Sequence, residues 1–346
     1  MCNIGDVAQL ADVFEGFRTM AIETYGLDPA YYVSAPQMSW DAMLKITRVS
    51  LELISDPAMF RMVDSGIRGG VSMITTRFAR ANNVPLGDLY DENKQKSWIK
   101  GLDANNLYGW AMSQSLPFGE YSWVPIAELP NIKWEEQEDD QEYGYIVKCD
   151  LLYPKELHDA HSDYPLAPER LAVKDEWLSE KQLAIKAQYN LPRSDITAKL
   201  IPNLLNKKEY VVDFRNLKFY LSHGLKLGKV HAAIRYAHFK WMAPYIELNQ
   251  EKRTQAKTEF EKDFFKLMNN SVFGKTCENQ KKRTSIYLVN TRKKFLELVF
   301  KPNFMDTHLF AEDFAAVEMQ KTKLLINKPF FVGFTILDLA KLHMYR

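Results

Sequence analysis

Long hydrophobic runs are absent from this sequence of 346 residues, and no apolar stretch approaches the length that a membrane-spanning helix requires. The start of the chain contains neither the basic region nor the apolar segment of a secretory signal. These two absences predict an intracellular protein, nuclear or cytoplasmic, that has no membrane among its partners.

Cysteine is scarce, and an excess of one charge sign is missing. The three cysteines, Cys2, Cys149 and Cys277, form no Cys-x-x-Cys pair, which excludes a zinc framework and fits a reducing compartment. Because 45 basic and 44 acidic residues give a net charge of +1, any nucleic-acid-binding surface must come from local clustering. A hydrophobic content of 46% is nevertheless enough for a globular protein with more than one domain.

The stretch 101–117 combines a carboxylate with the start of a predicted helix. Residues 97–102 have the pattern of a short strand, and after them apolar residues recur at helical spacing until Pro117. Asp103 is therefore predicted at a strand end that faces a helix start. A carboxylate there can hold a cation while free backbone amides hold the phosphate ligands of that cation. An ordinary N-cap is the alternative for an aspartate in this position.

A long helix is predicted over residues 250–279. Lys262, Lys266, Asn270 and Phe273 recur on one face of it, which offers two ammonium groups, an amide and a ring. Ammonium groups bind the β- and γ-phosphates of a nucleotide as point charges, and the ring and the amide suit contact with a base pair. The alternative is a solvated helix with pairs of opposite charge along its surface.

Two sequence motifs in this order resemble the family B DNA polymerases. The string Asp-Ala-Asn-Asn-Leu-Tyr-Gly-Trp-Ala-Met from Asp103 is similar to their first palm motif, with Asn106 and Gly109 in place of the serine and proline that are usual in protein-primed members. Residues 266–274 fit the fingers motif Lys-x-x-x-Asn-Ser-x-Tyr-Gly, with Phe273 for tyrosine. The polymerases of Polinton or Maverick transposons look closest, and residues 157–169 are similar to them as well.

The resemblance implies template-directed DNA synthesis with protein priming, and it implies site residues. Asp103 would bind the Mg²⁺ ions of a two-metal site. Asp103 and Lys266 would be the catalytic residues, and Tyr108 would lie under the deoxyribose and exclude a 2′-hydroxyl. The residues implied to bind the nucleotide are Ala104, Asn105, Asn106, Leu107, Tyr108, Lys262, Lys266, Asn270 and Phe273.

DNA contacts are implied in two places. Residues 66–70 resemble the Tyr-x-Gly-Gly linker that touches template phosphates, with Ile67 replacing the tyrosine, although a plain hinge is an equal alternative. A dense basic cluster follows the fingers motif. The DNA-binding residues are therefore predicted to be Arg68, Gly69, Gly70, Gly274, Lys275, Lys281, Lys282 and Arg283. The expected partners are a DNA template-primer, a deoxynucleoside triphosphate and a terminal protein primer, and no oligomer is expected.

The fold class implied is α+β: an incomplete palm and fingers with a remnant of a ribonuclease H-like exonuclease domain. The remnant begins with a helix over 6–25, in which Asp6 matches a metal-binding aspartate and an apolar stripe including Val7, Leu10 and Phe17 is predicted to face the core. The last segment is predicted as a strand, 321–326, and an amphipathic helix, 330–345. The predicted divisions are exonuclease remnant 1–66, first palm part 67–119, insertion of the protein-primed type 120–240, fingers 241–284, second insertion 285–320 and second palm part 321–346.

The Asp-Thr-Asp-Ser hairpin that carries the second metal-binding carboxylate of this family does not occur in the sequence, and no thumb is recognisable. We therefore expect the chain by itself to be inactive as a polymerase. The alternative is a non-catalytic, nucleic-acid- and nucleotide-binding remnant of a transposon polymerase.

Overall fold

The computed structural model describes residues 2–76, 78–192 and 196–346, with the side chains of residues 2 and 3 excepted. The α-helices are α1 Cys2–Tyr25, α2 Ala35–Thr47, α3 Pro57–Gly66, α4 Leu107–Met112, α5 Glu180–Gln188, α6 Phe214–Ser222, α7 Ala243–Gln255, α8 Glu259–Thr276, α9 Arg292–Val299 and α10 Phe330–Tyr345. The strands are β1 Leu116–Trp123, β2 Tyr143–Leu152, β3 Glu169–Leu171, β4 Lys199–Ile201, β5 Lys207–Asp213, β6 Lys226–Phe239, β7 Thr284–Val289, β8 Phe304–Ala311 and β9 Phe314–Gln320. None of the helices in this described part has the length and apolarity to cross a membrane.

A four-stranded antiparallel sheet forms the centre of the molecule. Its order is β1-β6-β2-β5, so β2 and β6 are the central strands. Ile146 in β2 pairs with Ile234 on one side and Asp213 on the other, and all three are buried. The predicted insertion 120–240 thus supplies β2, β5 and β6, three of the four strands of the central sheet. It is therefore part of the main core and not a separate domain appended to it. The excursion away from the sheet is the stretch between β2 and β5, which carries β3, α5 and β4.

Helix α10 lies inside this core. The prediction of an amphipathic helix is wrong, because every residue from Phe330 to Leu342 is buried. A helix that is apolar on all sides is a core helix, and α10 packs against α3, α4, α6, α8 and the sheet. The strand predicted at 321–326 is also wrong, since the structure has irregular backbone there.

Helix α1 confirms the helix predicted from Asp6 but not the burial of its apolar stripe. Val7 and Leu10 are exposed, so the first half of the helix stands away from the core. The second half is packed against the core. The centres of the Phe17 and Phe264 rings lie 5.0 Å apart in an edge-to-face contact with α8, and the Tyr25 hydroxyl donates to the Asn249 side chain in α7. The helix is therefore tied to the helical pair α7 and α8.

The long helix predicted over 250–279 is two helices. It breaks at residues 256–258, where Thr258 begins α8 as its N-cap. The Thr258 hydroxyl accepts the Glu261 N–H at 3.2 Å, and the Glu261 carboxylate accepts the N–H groups of Lys257 and Thr258 at 2.6 and 3.2 Å. This reciprocal capping box satisfies N–H groups that a helix start leaves free, and it therefore favours a new helix over continuation of α7.

The segment of the predicted second insertion has a small core of its own. Strands β7, β9 and β8 form an antiparallel sheet in that order, and α9 covers one face. Val289, Leu298, Ala315, Val317 and Met319 are buried together there, apart from the main core.

Candidate functional site

Asp103 lies in an exposed, irregular segment just before α4. The strand predicted at 97–102 is wrong, because the segment makes only an isolated bridge between Asn82 and Ser97. The N-cap of α4 is Asn106 and not Asp103, which removes the N-cap alternative. In the part of the chain that the structure describes, the Asp103 carboxylate has no hydrogen-bond or ion-pair partner, so it is free to meet a ligand.

The two residues that depart from the palm motif act together. Asn106 adopts a left-handed backbone conformation, φ 53°, which asparagine tolerates better than most residues. Its side chain folds back over α4 and accepts the Gly109 N–H at 3.3 Å. A proline at 109 has no N–H to donate, and a Cβ there would lie 2.0 Å from the Asn106 side chain. With the Asn106 side chain in this conformation, position 109 has room only for glycine.

An aromatic stack joins the two motifs. The rings of Tyr108 and Phe273 lie 4.2 Å apart and 11° from parallel, which places α4 directly on α8. On the same face of α8, Asn270 and Lys266 are exposed and have no polar partner among the described residues. Lys262, a turn further, pairs with Glu259 at 2.7 Å, as the alternative of a solvated helix predicts.

A cleft of 430 Å³ opens beside Asp103. Its wall includes three residues that the sequence predicts for the site, Asp103, Tyr108 and Gly70. It also includes three that the sequence does not predict. These are Asp163 and Tyr164, from the loop before β3, and Lys341, from α10. The loop residues lie within 157–169, which resembles the transposon polymerases, but that resemblance gives them no role and they are far from either motif in sequence. Lys341 does have a sequence signal, because a lysine inside an otherwise apolar helix must find buried partners.

Lys341 fastens the linker at the cleft to α10. Its Nζ donates to the carbonyl oxygens of Arg68 and Leu337 at 2.8 and 2.9 Å and lies 3.6 Å from the Asp338 carboxylate. Burial lowers the pKa of Lys341 and raises the pKa of Asp338. The carboxylate in turn accepts the Asp213 N–H at 3.0 Å, so the cleft wall is connected to the central sheet.

Arg68 does not face solvent as a template contact would. Its guanidinium is buried, donates to the carbonyl oxygens of Gly66 and Val211 at 3.1 and 2.7 Å and stacks on Tyr210 at 3.8 Å. The fold uses the side chain to hold the linker onto β5, through two hydrogen bonds from its Nη1. Gly69 and Gly70 do border open space, so their backbones remain accessible.

The basic cluster after α8 is largely paired within the protein. Lys275 and Arg283 share the Glu278 carboxylate at 3.1 and 2.8 Å, and Lys281 pairs with Asp64 at 2.6 Å. Two other residues in this region are predicted to bind DNA, Gly274 and Lys282. Both are exposed, and Lys282 has no ion-pair partner in the described ranges. The cluster therefore carries less free charge than its sequence indicates.

The donor set does not fit a two-ion magnesium centre. Mg²⁺ takes oxygen ligands, and two ions side by side need several carboxylates to offset their repulsion. Among the residues that the structure describes, no group of three or more His, Cys, Asp or Glu side chains lies close enough to hold a metal. Asp103 is the carboxylate of the palm motif, and Asp163 shares only the cleft wall with it. Magnesium binding therefore stays a prediction.

Neither protein-family models nor curated protein sequences show a match to this chain. Solved structures do. The chain is similar to Phi29 DNA polymerase in complex with primer-template DNA, with a TM-score of 0.51 and 16% identity over 93% of this chain and 45% of that chain. For the same polymerase with primer-template DNA and incoming nucleotide substrates, the TM-score is 0.50 and the identity 14%, over 91% of this chain and 45% of that chain. This chain spans less than half the length of those structures, and what the likeness shows is a mixed α and β fold that resembles that of a DNA polymerase.

Proposed function

We propose that this chain contains the nucleotide-binding and part of the DNA-binding machinery of a protein-primed family B DNA polymerase. The observation that carries the proposal is the Tyr108–Phe273 stack, because it brings two sequence motifs 165 residues apart, counted from 108 to 273, into direct contact. The polymerase-like fold supports it independently. The transposon origin and the terminal protein partner rest on sequence resemblance alone and belong to the proposal.

The exposed face of α8 is where the triphosphate of an incoming nucleotide would bind. Lys266 and Asn270 have no competing partner in the described structure, and Lys262 is held only by a surface ion pair. Surface pairs contribute about 0–1 kcal/mol, so phosphate oxygens can replace Glu259 at little cost. Phe273 and Tyr108 then offer a flat apolar surface next to the Asp103 segment for the sugar and base.

A second candidate, a non-catalytic protein that binds nucleotide and DNA, is favoured by the donor set at Asp103. One motif carboxylate can share a single ion with phosphate oxygens, which is enough for binding but not for the two-ion chemistry of nucleotidyl transfer. The two candidates have the same binding site and differ in whether this chain catalyses nucleotidyl transfer.

Asp6 in α1 is exposed with its neighbours, and we propose no nuclease activity for residues 1–66.

The proposal predicts that Lys266→Ala weakens binding of a deoxynucleoside triphosphate in the presence of magnesium by at least about tenfold, because a charge-assisted contact contributes roughly 1.5–3 kcal/mol. The measurement is a calorimetric or fluorescence titration of the purified chain. Lys181→Ala is the matched control, because Lys181 is an exposed helical lysine on α5, which contributes nothing to the cleft. Equal affinities of the parent and Lys266→Ala would remove this role from Lys266.

A further inference from the structure

Two cations share a single carboxylate at the end of α8, and a third cation lies in the neighbouring chain segment before α10. Glu278 is shared by Lys275 and Arg283, at 3.1 and 2.8 Å. Lys328 directly follows Asn327, whose side-chain oxygen accepts from Arg283 at 3.2 Å. Burial lowers the pKa of Lys328 and the positive charge of Lys275 lowers it further, while the carboxylates of Glu278 and Asp41 act in the opposite direction. The Lys328 ammonium group lies 4.5 Å from the centre of the Trp40 ring and has no carboxylate within ion-pairing distance in the described part of the chain. The three cations therefore have one directly paired carboxylate, Glu278, between them.

The chain holds this cationic cluster in place with neutral contacts. The Asn327 side-chain oxygen accepts from Gln280 at 2.8 Å and from Arg283 at 3.2 Å, which fixes the segment before α10 alongside residues 278–283. Because Lys328 follows Asn327 directly, it cannot move far from Glu278. A half-buried lysine beside two other cations would be stabilised by a further anion.

A cavity of 320 Å³ adjoins the cluster, between α3 and residues 278–281. Two further cations line it. Lys281 is held by Asp64 at 2.6 Å, and Arg170 is exposed with no side-chain partner in the described ranges. The cations thus come from separate chain segments, β3, the end of α8 and the stretch before α10. Such a distribution suits a ligand with several phosphates along a chain better than a single ion.

We propose that this cavity and the cluster behind it bind the sugar-phosphate backbone of a DNA strand, with Lys328 and Arg170 as contacts that the sequence motifs do not contain. Glu278 and Asp64 occupy the cations when DNA is absent and compete with its phosphates. The inference rests on the proposed function, because it assumes that DNA is a ligand of this chain.

The proposal makes opposite predictions for cations and carboxylates. Lys328→Ala and Arg170→Ala should each weaken binding of single-stranded DNA about fivefold, and each should reduce the slope of log K against log salt by about 0.7. Glu278→Gln should strengthen binding at least about threefold, because it removes a competing negative charge while its amide oxygen still accepts from Arg283. A surface that DNA does not touch would give neither change.

The test is fluorescence anisotropy of a labelled single-stranded oligonucleotide with the full chain and each variant, at several salt concentrations. Lys181→Ala is the matched control, and thermal unfolding of each variant separates lost binding from lost folding. Competition by inorganic phosphate at millimolar concentration tests for a site that takes a free ion, and we expect little displacement. Absence of DNA binding by the parent would overturn the proposed function together with this inference. Parent binding that is unchanged in Lys328→Ala, Arg170→Ala and Glu278→Gln would overturn this inference alone, as would full displacement by phosphate.

Discussion

At the scale of single residues, the contact that matters most for the site is the pair of rings that links α4 to α8. Tyr108 and Phe273 are each half-buried, and their nearly parallel rings are 4.2 Å apart. Aromatic pairs in contact contribute about 0.5–1.5 kcal/mol beyond the burial of their area. The stack is therefore a stabilising contact as well as part of the proposed nucleotide surface.

A double-mutant cycle tests this pair. Tyr108→Leu and Phe273→Leu, measured singly and together by urea unfolding, should show a coupling free energy of about 0.5–1.5 kcal/mol. Tyr108→Leu combined with Phe310→Leu is the control, because Phe310 lies in β8 and contacts Phe314 instead. Additive effects for both combinations would mean that the rings of Tyr108 and Phe273 do not interact in solution.

At the scale of elements, the break between α7 and α8 fixes where the motif face of α8 begins. The side chains of Thr258 and Glu261 cap the start of α8, and backbone N–H groups hold the pKa of Glu261 below its ordinary value. A depressed carboxyl pKa stabilises the folded state at neutral pH, and this contribution is lost as the pH falls through the folded pKa of Glu261. The cap should therefore weaken in acid.

Thr258→Ala should lower the free energy of unfolding by about 1 kcal/mol, because an N-cap side chain is lost. Urea unfolding followed by circular dichroism measures this change. Thr254→Ala is a control on the neighbouring helix, since the Thr254 hydroxyl only donates back to the Gln250 carbonyl within α7. A larger loss for Thr254→Ala than for Thr258→Ala would contradict the role given to the capping box.

At the scale of the whole molecule, one core joins the sheet, α10 and the helices of both motifs, while the segment from β7 to β9 has a second core. The cleft at Asp103 is lined by the start of α4, α10, the linker after α3 and the loop before β3, and α8 packs against α4 and α10. The proposed nucleotide and DNA surfaces thus belong to one packed molecule, whereas the described residues contain no group of three or more His, Cys, Asp or Glu side chains that could hold a metal ion.

This combination predicts a chain that binds DNA but extends a primer more slowly than Phi29 DNA polymerase, by roughly several powers of ten in rate. The reason is that metal ions held by several carboxylates stabilise the transition state of nucleotidyl transfer, and this stabilisation would be lost. A primer-extension assay with magnesium, with Phi29 DNA polymerase as the positive control and Asp103→Asn as the background, measures it. Extension by the parent at a rate near that of the control, and lost in Asp103→Asn, would show that another carboxylate completes the centre.

Several elements follow from the sequence because their causes are local. Sequence patterning alone predicts a helix over 214–222 and strands over 143–153 and 285–289, and these agree with α6, β2 and β7 to within a residue. Hydrophobic periodicity and flanking turn residues determine such elements without help from distant parts of the chain. The two motif strings are local too, and they predict a polymerase without reference to the fold.

Tertiary structure decided what distant residues do to one another. The sequence does not show how Arg68 and Lys281 are held, and only the fold brings Val211 and Asp64 to them, so that Arg68 is buried and Lys281 is paired. Burial of α10 on all sides likewise depends on the elements that surround it. The contact between Tyr108 and Phe273 is of the same kind, because no local rule makes two residues of separate helices stack. Local physics thus determined the elements and the motifs, and the packing of the core determined which side chains remain free to bind.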